Sequence, residues 1–186
     1  MVKIQCLSLW QPYASLVAHG LKKVETRSWP WPFLDPLYPL PAALAIHATK
    51  KWNGDLYNLC LSEPFRSALA KCGIRTQLPT RGKLPAPDGM PFGAVVAVVR
   101  VVECVPTQKI LDGISDCKAG DLADPPISQR EYAFGDYSFG RFAWVTDAVL
   151  RLEQPVPVTG RQGLFSWEAT PEVEAWIYEH LKRAEV

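Results

Sequence analysis

No run in this 186-residue chain stays apolar for the roughly 20 residues that a membrane-spanning helix needs. The first residues also lack the basic-then-apolar order of a secretory signal. A cytoplasmic protein with no membrane association is the expectation. Cysteine is sparse: Cys6, Cys60, Cys72, Cys104 and Cys117 are odd in number and never occur as C-x-x-C. That pattern offers neither a disulfide framework nor a zinc site, and it fits a reducing compartment. Histidine is rarer still, three residues far apart in sequence, so neither a metal nor a cofactor is expected. An excess of either charge is missing too. A formal net charge of +1 argues against indiscriminate polyanion binding while leaving room for a local basic patch. Internal repeats and a linker are also lacking, so residues 1–186 are expected to form one domain.

What the chain does have is apolar mass. Hydrophobic residues make up 48% of it, enough for a substantial core and too many for global disorder. Charge is unevenly spread. Between residues 47 and 83 Lys50, Lys51, Arg66, Lys71, Arg75, Arg81 and Lys83 face only Asp55 and Glu63. Between residues 103 and 136 acids dominate. The basic middle is either an anion-facing surface or solvated helix and loop.

Residues 2–9 alternate as a strand, residues 42–48 (AALAIHA) read as a buried strand, and residues 93–105 (GAVVAVVRVVECV) as a long central one. Residues 141–149 form another strand, and 153–157 an extended lead to the turn at 160–163. Five prolines between residues 29 and 41 make that stretch a loop. Thr49 or Asn53 caps a helix running toward Leu61, and Ser62 a second ending before Gly73. A long connection at 73–91 is expected to be mobile. The turn-rich, acidic residues 106–130 leave room for one short helix near Ile110. Thr170 starts a last helix at about 170–184, with Val173, Trp176, Ile177 and Leu181 on its buried stripe. Lys182 and Arg183 suit the dipole at its end. About five strands with helices in the crossovers make the fold class α+β, built on a small closed sheet.

The chemistry is densest at residues 7–29, LSLWQPYASLVAHGLKKVETRSW. Gln11-Pro12 turns the chain into a short helix carrying Tyr13, Leu16 and Val17, and Gly20 caps it. Lys22 then sits in the turn. On the strand that follows, Val24 and Thr26 face one way and Glu25, Arg27 and Trp29 the other. Two cations around a carboxylate form either a site or a solvated ion-pair network. Trp10, Tyr13, Trp29 and Trp31 bring rings that can stack on a base or simply pack the core.

The same stretch resembles the opening of ASCH domains, a branch of the PUA-like superfamily. The G-x-K-x-x-E-x-R signature is met by Gly20, Lys22, Glu25 and Arg27, and the S-L-x-Q-P-x-A-S lead-in by Ser8, Leu9, Gln11, Pro12, Ala14 and Ser15. Further matches fall at Ile46-His47-Ala48, at residues 135–144 (GDYSFGRFAW) and at 160–163. The resemblance implies a PUA-like β-barrel with helices over one side, and a cleft between barrel and first helix that gathers the signature residues. It also implies a nucleic-acid-related ligand, since family members include ribonucleases, DNA- or RNA-binding modules and a small amidohydrolase of acetylated cytidine. Those resembling the amidohydrolase carry a threonine where this chain has Glu25.

Two functions follow. The first is binding of RNA, single-stranded DNA or a nucleotide-like small molecule through Trp10, Gln11, Tyr13, Lys22, Arg27, Trp29, His47, Lys50, Tyr137 and Arg141. The second is metal-independent hydrolysis of RNA or of a modified nucleoside such as N4-acetylcytidine. In it Lys22 is the base, Glu25 orients it or moves a proton, and Ser138 is the partner hydroxyl. His47 has an alternative life as a satisfied core histidine, and the GDYSFGR turn as a hairpin lead-in. A protein partner docking on the proline-rich stretches is a further, weaker reading.

Overall fold

Valine after valine gives residues 94–106 no comfortable conformation but a strand, and that strand, β4 (Ala94–Pro106), is the spine of the sheet. The computed structural model describes residues 2–32, 39–79, 84–113 and 127–181. Six strands line up in the order β2-β5-β4-β3-β1-β6. They are β1 (Lys3–Leu9), β2 (Val24–Arg27), β3 (Ala42–Ala48), β4, β5 (Phe142–Pro157) and β6 (Leu164–Glu168). Among the described residues only the β1–β3 pair is parallel, which obliges the chain to cross over between them. The crossover carries α1 (Tyr13–Ala18) and β2, and so delivers the 7–29 stretch onto the sheet.

Alternation along the strands builds a core on each face. Leu7, Leu9, Leu44, Ile46, Val99, Val101 and Trp144 pack with Ala14 and Val17 of α1 and with Trp31. Their strand neighbours Cys6, Ala43, Ala45, Val95 and Val98 point the opposite way, toward Val173 and Trp176 of α6 (Pro171–Leu181). Helices therefore cover both faces, where one covered side was expected, because β1, β3 and β4 are apolar on both faces. Burying a side chain the size of Trp144, which is fully enclosed, contributes about 3 kcal/mol. A third cluster joins Leu16 to α2 (Gly54–Leu61) and α3 (Phe65–Lys71) and to Phe134.

Several expectations meet the structure closely. Strand β3 has the expected bounds, Asn53 caps α2 by accepting the Leu56 N–H at 3.0 Å, and Thr170 Oγ1 accepts the Val173 N–H at 3.4 Å. Two residues past the end of helix α1, Gly20 has a φ of +67° that lets the Leu21 and Lys22 N–H groups turn back onto the Leu16 carbonyl. Other elements differ. The segments expected at 141–149 and 153–157 are one strand, bent by register shifts against β4. Strand β6, α4 (Thr107–Leu111) and α5 (Gln129–Ala133) complete the set among the described residues. Ser62 ends α2 instead of capping α3. The connection at 73–91 is pinned at both ends by an Arg75–Asp88 bridge. Pro36, Arg81, Lys83, Asp116, Cys117, Asp121, Asp124, Lys182 and Arg183 lie outside the described residues.

Candidate functional site

The turn after α1 folds Lys22 inward, so that its side chain is only 2% exposed. Its ammonium donates to the Val24 carbonyl and lies 3.4 Å from Glu25 Oε2. On the far side of that carboxylate, Glu25 Oε1 forms an ion pair with Arg27, whose Nε lies 3.1 Å away. The three signature side chains thus form one row along the open face of β2. They line a cleft of about 380 Å³ together with Trp10, Tyr13, Thr26, Phe134, Asp136 and Arg141. Tyr13 meets Phe65 edge-on at 5.7 Å, and burial pushes its phenol up, with the Glu25 carboxylate adding to the effect.

Behind the row stands a carboxylate that sequence reasoning missed. Glu131, on α5, accepts the backbone N–H groups of Lys23 at 3.1 and 3.0 Å and of Val24 at 3.0 Å. Burial raises its pKa, while the Lys22 ammonium and those N–H donors pull it back down. Glu131 pins the start of β2 and so fixes the direction of the signature row.

Across Trp10 and Arg27 the cleft continues into an adjoining cavity of about 520 Å³. Ser8, Trp10 and Arg27 line both. The cavity adds His47, Lys50 and Arg161, and no aspartate or glutamate is among its lining residues. His47 is 2% exposed, and both of its ring nitrogens are engaged. Nε2 lies 3.1 Å from the Val158 carbonyl and Nδ1 3.0 Å from Ser8 Oγ. Burial lowers the His47 pKa, Lys50 lowers it further, and the Val158 contact opposes both.

Of the residues singled out from sequence, Trp10, Tyr13, Lys22, Glu25, Arg27 and Arg141 meet in the cleft, and His47 and Lys50 in the cavity beside it. The others are placed elsewhere. Gln11 is fully buried, its amide donating to the Pro91 carbonyl at 2.7 Å and accepting from Ser15 N at 3.1 Å. Trp29 packs edge-on against Trp144 with ring centres 4.7 Å apart. Tyr137 is buried and stacked on Tyr132 at 5.3 Å. Ser138 is exposed and lines neither space, so it does not join Lys22 there. Arg141 is partly committed already, donating to the Thr26 carbonyl at 3.2 Å and lying 3.3 Å from Asp136. Sequence reasoning also passed over Ser8 and Arg161, although each lies within a motif it had quoted. Lys51, expected either to meet phosphate or to cover the surface, has its ammonium 3.5 Å from the centre of the Trp10 ring.

A mixed α+β domain with a ring-lined, charged cleft between first helix and sheet is the class of protein defined here. The chain belongs to the ASCH domain family, whose model matches residues 7–119. Among solved structures it is similar to an ASCH protein from Zymomonas mobilis at 16% identity, over 93% of this chain and 92% of that one, with a TM-score of 0.46. A tyrosine-to-phenylalanine variant of that protein matches at 16% identity over 93% and 95%, with a TM-score of 0.46. A serine-to-alanine variant matches at 17% identity over 94% of each chain, with a TM-score of 0.45. The comparison with curated proteins gave no match. Among the described residues no helix is long and apolar enough to cross a membrane, and no three His, Cys, Asp or Glu side chains are grouped to hold a metal ion.

Proposed function

We propose that this protein binds RNA or another single-stranded nucleic acid, with a base in the Lys22–Glu25–Arg27 cleft and the adjoining phosphate in the cavity beside it. The observation that carries this reading is the partition of charge. The cleft mixes Lys22, Arg27 and Arg141 with Glu25 and Asp136 around the Trp10, Tyr13 and Phe134 rings, an environment suited to a neutral, flat, polar base. The cavity collects Arg27, Lys50 and Arg161 with no lining carboxylate, which suits a phosphate. Lys22, engaged at the cleft floor, orients Glu25 and leaves phosphate contact to the other three cations. On the same reading the sheet is the wall of a PUA-like barrel in a single domain. The bulges along β4 and β5, which are 13 and 16 residues long, support that curvature. The free cysteines Cys6, Cys60, Cys72 and Cys104 suit a reducing cytoplasm.

Electrophoretic shift of labelled single-stranded RNA tests the assignment. Trp10→Ala and Arg27→Ala are each expected to weaken binding about tenfold, in line with the loss of one stacked base or one charge-assisted contact. Unchanged affinity in both variants removes this cleft from the account.

The enzyme reading is favoured by one observation, the enclosed ammonium of Lys22 between Glu25 and Glu131, since a confined lysine beside carboxylates can move protons. Incubation with RNA and with N4-acetylcytidine in chelator, followed by mass spectrometry, tests it. Product lost in Glu25→Gln supports hydrolysis there, and no product at high enzyme concentration rejects it.

A further inference from the structure

The cavity beside the signature cleft contains a hydroxyl, an imidazole and a carbonyl in series. A carbonyl oxygen only accepts, so the 3.1 Å contact with Val158 places the His47 proton on Nε2. Neutral His47 then has a bare Nδ1, and the Ser8 hydroxyl, 3.0 Å away, is the donor to it. That is the order of groups in a nucleophile–base–orienter relay, with a backbone carbonyl in the orienting place. Tying β3 to the segment after β5 needs only the Nε2–H bond. It does not need a serine at the mouth of the cavity, half-exposed to both spaces.

Two further observations bear on the pair. Gly160 lies directly against it: a methyl group at that position would fall 2.6 Å from His47 Nδ1 and 2.8 Å from Ser8 Oγ. Only a residue without a side chain lets the pair keep both its contact and its cover. Arg27, Lys50 and Arg161 surround the same space without a carboxylate among its lining residues, so an anionic substrate is favoured there.

We propose that Ser8 and His47 form a catalytic dyad that hydrolyses carboxylic esters carried on phosphate-bearing molecules. Ser8 Oγ attacks the ester carbonyl carbon while its proton passes to His47 Nδ1. The ester C–O bond breaks, its electron pair leaves with the alcohol oxygen, and that oxygen takes the proton back from His47. An acyl-Ser8 intermediate remains. Water then attacks it, giving its proton to His47, and the acid is released as Ser8 regains its hydrogen. The lowered His47 pKa keeps the imidazole in its basic form at neutral pH.

The test uses the intact protein, a fluorophosphonate probe, p-nitrophenyl acetate and ribose-O-acetylated AMP. The expected result is a fluorophosphonate adduct mapped to Ser8 by mass spectrometry. Its rate should fall as pH drops through a value below the ordinary histidine figure of 6.5, because protonation removes the base. His47→Gln is expected to slow adduct formation about 100-fold or more. The acetylated AMP should be turned over in preference to p-nitrophenyl acetate, and Arg161→Ala should erase that preference. No adduct on Ser8 in folded wild-type protein at any pH between about 6 and about 9 overturns the proposal. So does an adduct without turnover of either ester. Because the adduct is read on the free protein, this outcome is independent of the RNA shift assay.

Discussion

An ammonium that is 2% exposed has to be compensated, and Lys22 meets one carboxylate at 3.4 Å and a second, Glu131, through the buried start of β2. Removing it leaves Glu25 with Arg27 alone and deprives buried Glu131 of the nearby ammonium, a costly arrangement in a dry environment. Lys22→Met is therefore expected to lower unfolding stability by about 3–5 kcal/mol in a denaturant titration at neutral pH. Adding Glu131→Gln should recover about 1–3 kcal/mol relative to additivity, because the two groups share one network. A loss below about 1 kcal/mol for Lys22→Met would mean that water, not carboxylate, balances the charge. The row itself was legible, because strand alternation dictates that Glu25 and Arg27 share a face. Glu131 was not: its contact with Lys23 spans 108 positions, and nothing local marks a glutamate that will be buried on backbone N–H groups. Gln11 shows the opposite case, a motif residue whose amide is consumed by the Pro91 and Ser15 backbone.

Among elements, legibility followed length and periodicity. Strands β3 and β4 and helix α6 carry unbroken apolar patterns, and the sequence marks them within a few residues. Strand β6 and helix α5 have five residues each, too few for periodicity to separate them from loop. In sequence, strand β5 looks like two segments because its second half alternates with exposed residues and follows a bulge. The loop between β5 and β6 depends on β5 running through, since only a continuous strand delivers Val158 and Gly160 to His47. Gly160→Ala tests that delivery. The added methyl must move either the loop or the His47 ring, and overpacking of this kind costs about 1–3 kcal/mol. The His47 Nε2–H signal in a proton spectrum should shift or broaden in the variant while α6 resonances stay in place. An unchanged His47 signal would show that the loop yields freely and does not hold the ring.

For the molecule as a whole, a net charge of +1 spread over 20 cationic and 19 acidic residues gives no long-range field to speak of. Any attraction for a polyanion must then come from the few cations that face the joined spaces. Arg27, Lys50 and Arg161 are those with no carboxylate opposite them in the cavity lining, although Arg27 is shared with Glu25 at 3.1 Å. Single-stranded binding releases about 0.7 counterion per phosphate neutralised, so three contacts predict a slope near −2 in a plot of log affinity against log salt. Lys50→Ala combined with Arg161→Ala should bring the slope to about −0.7 while base stacking on Trp10 persists. A wild-type slope near −5 would require more cations than this cavity holds. It would move the binding surface to the basic stretch around α2 and α3, where Arg66 and Lys71 lie exposed on α3. The slope thus separates a site that grips one nucleotide and its neighbours from a surface that tracks a longer strand.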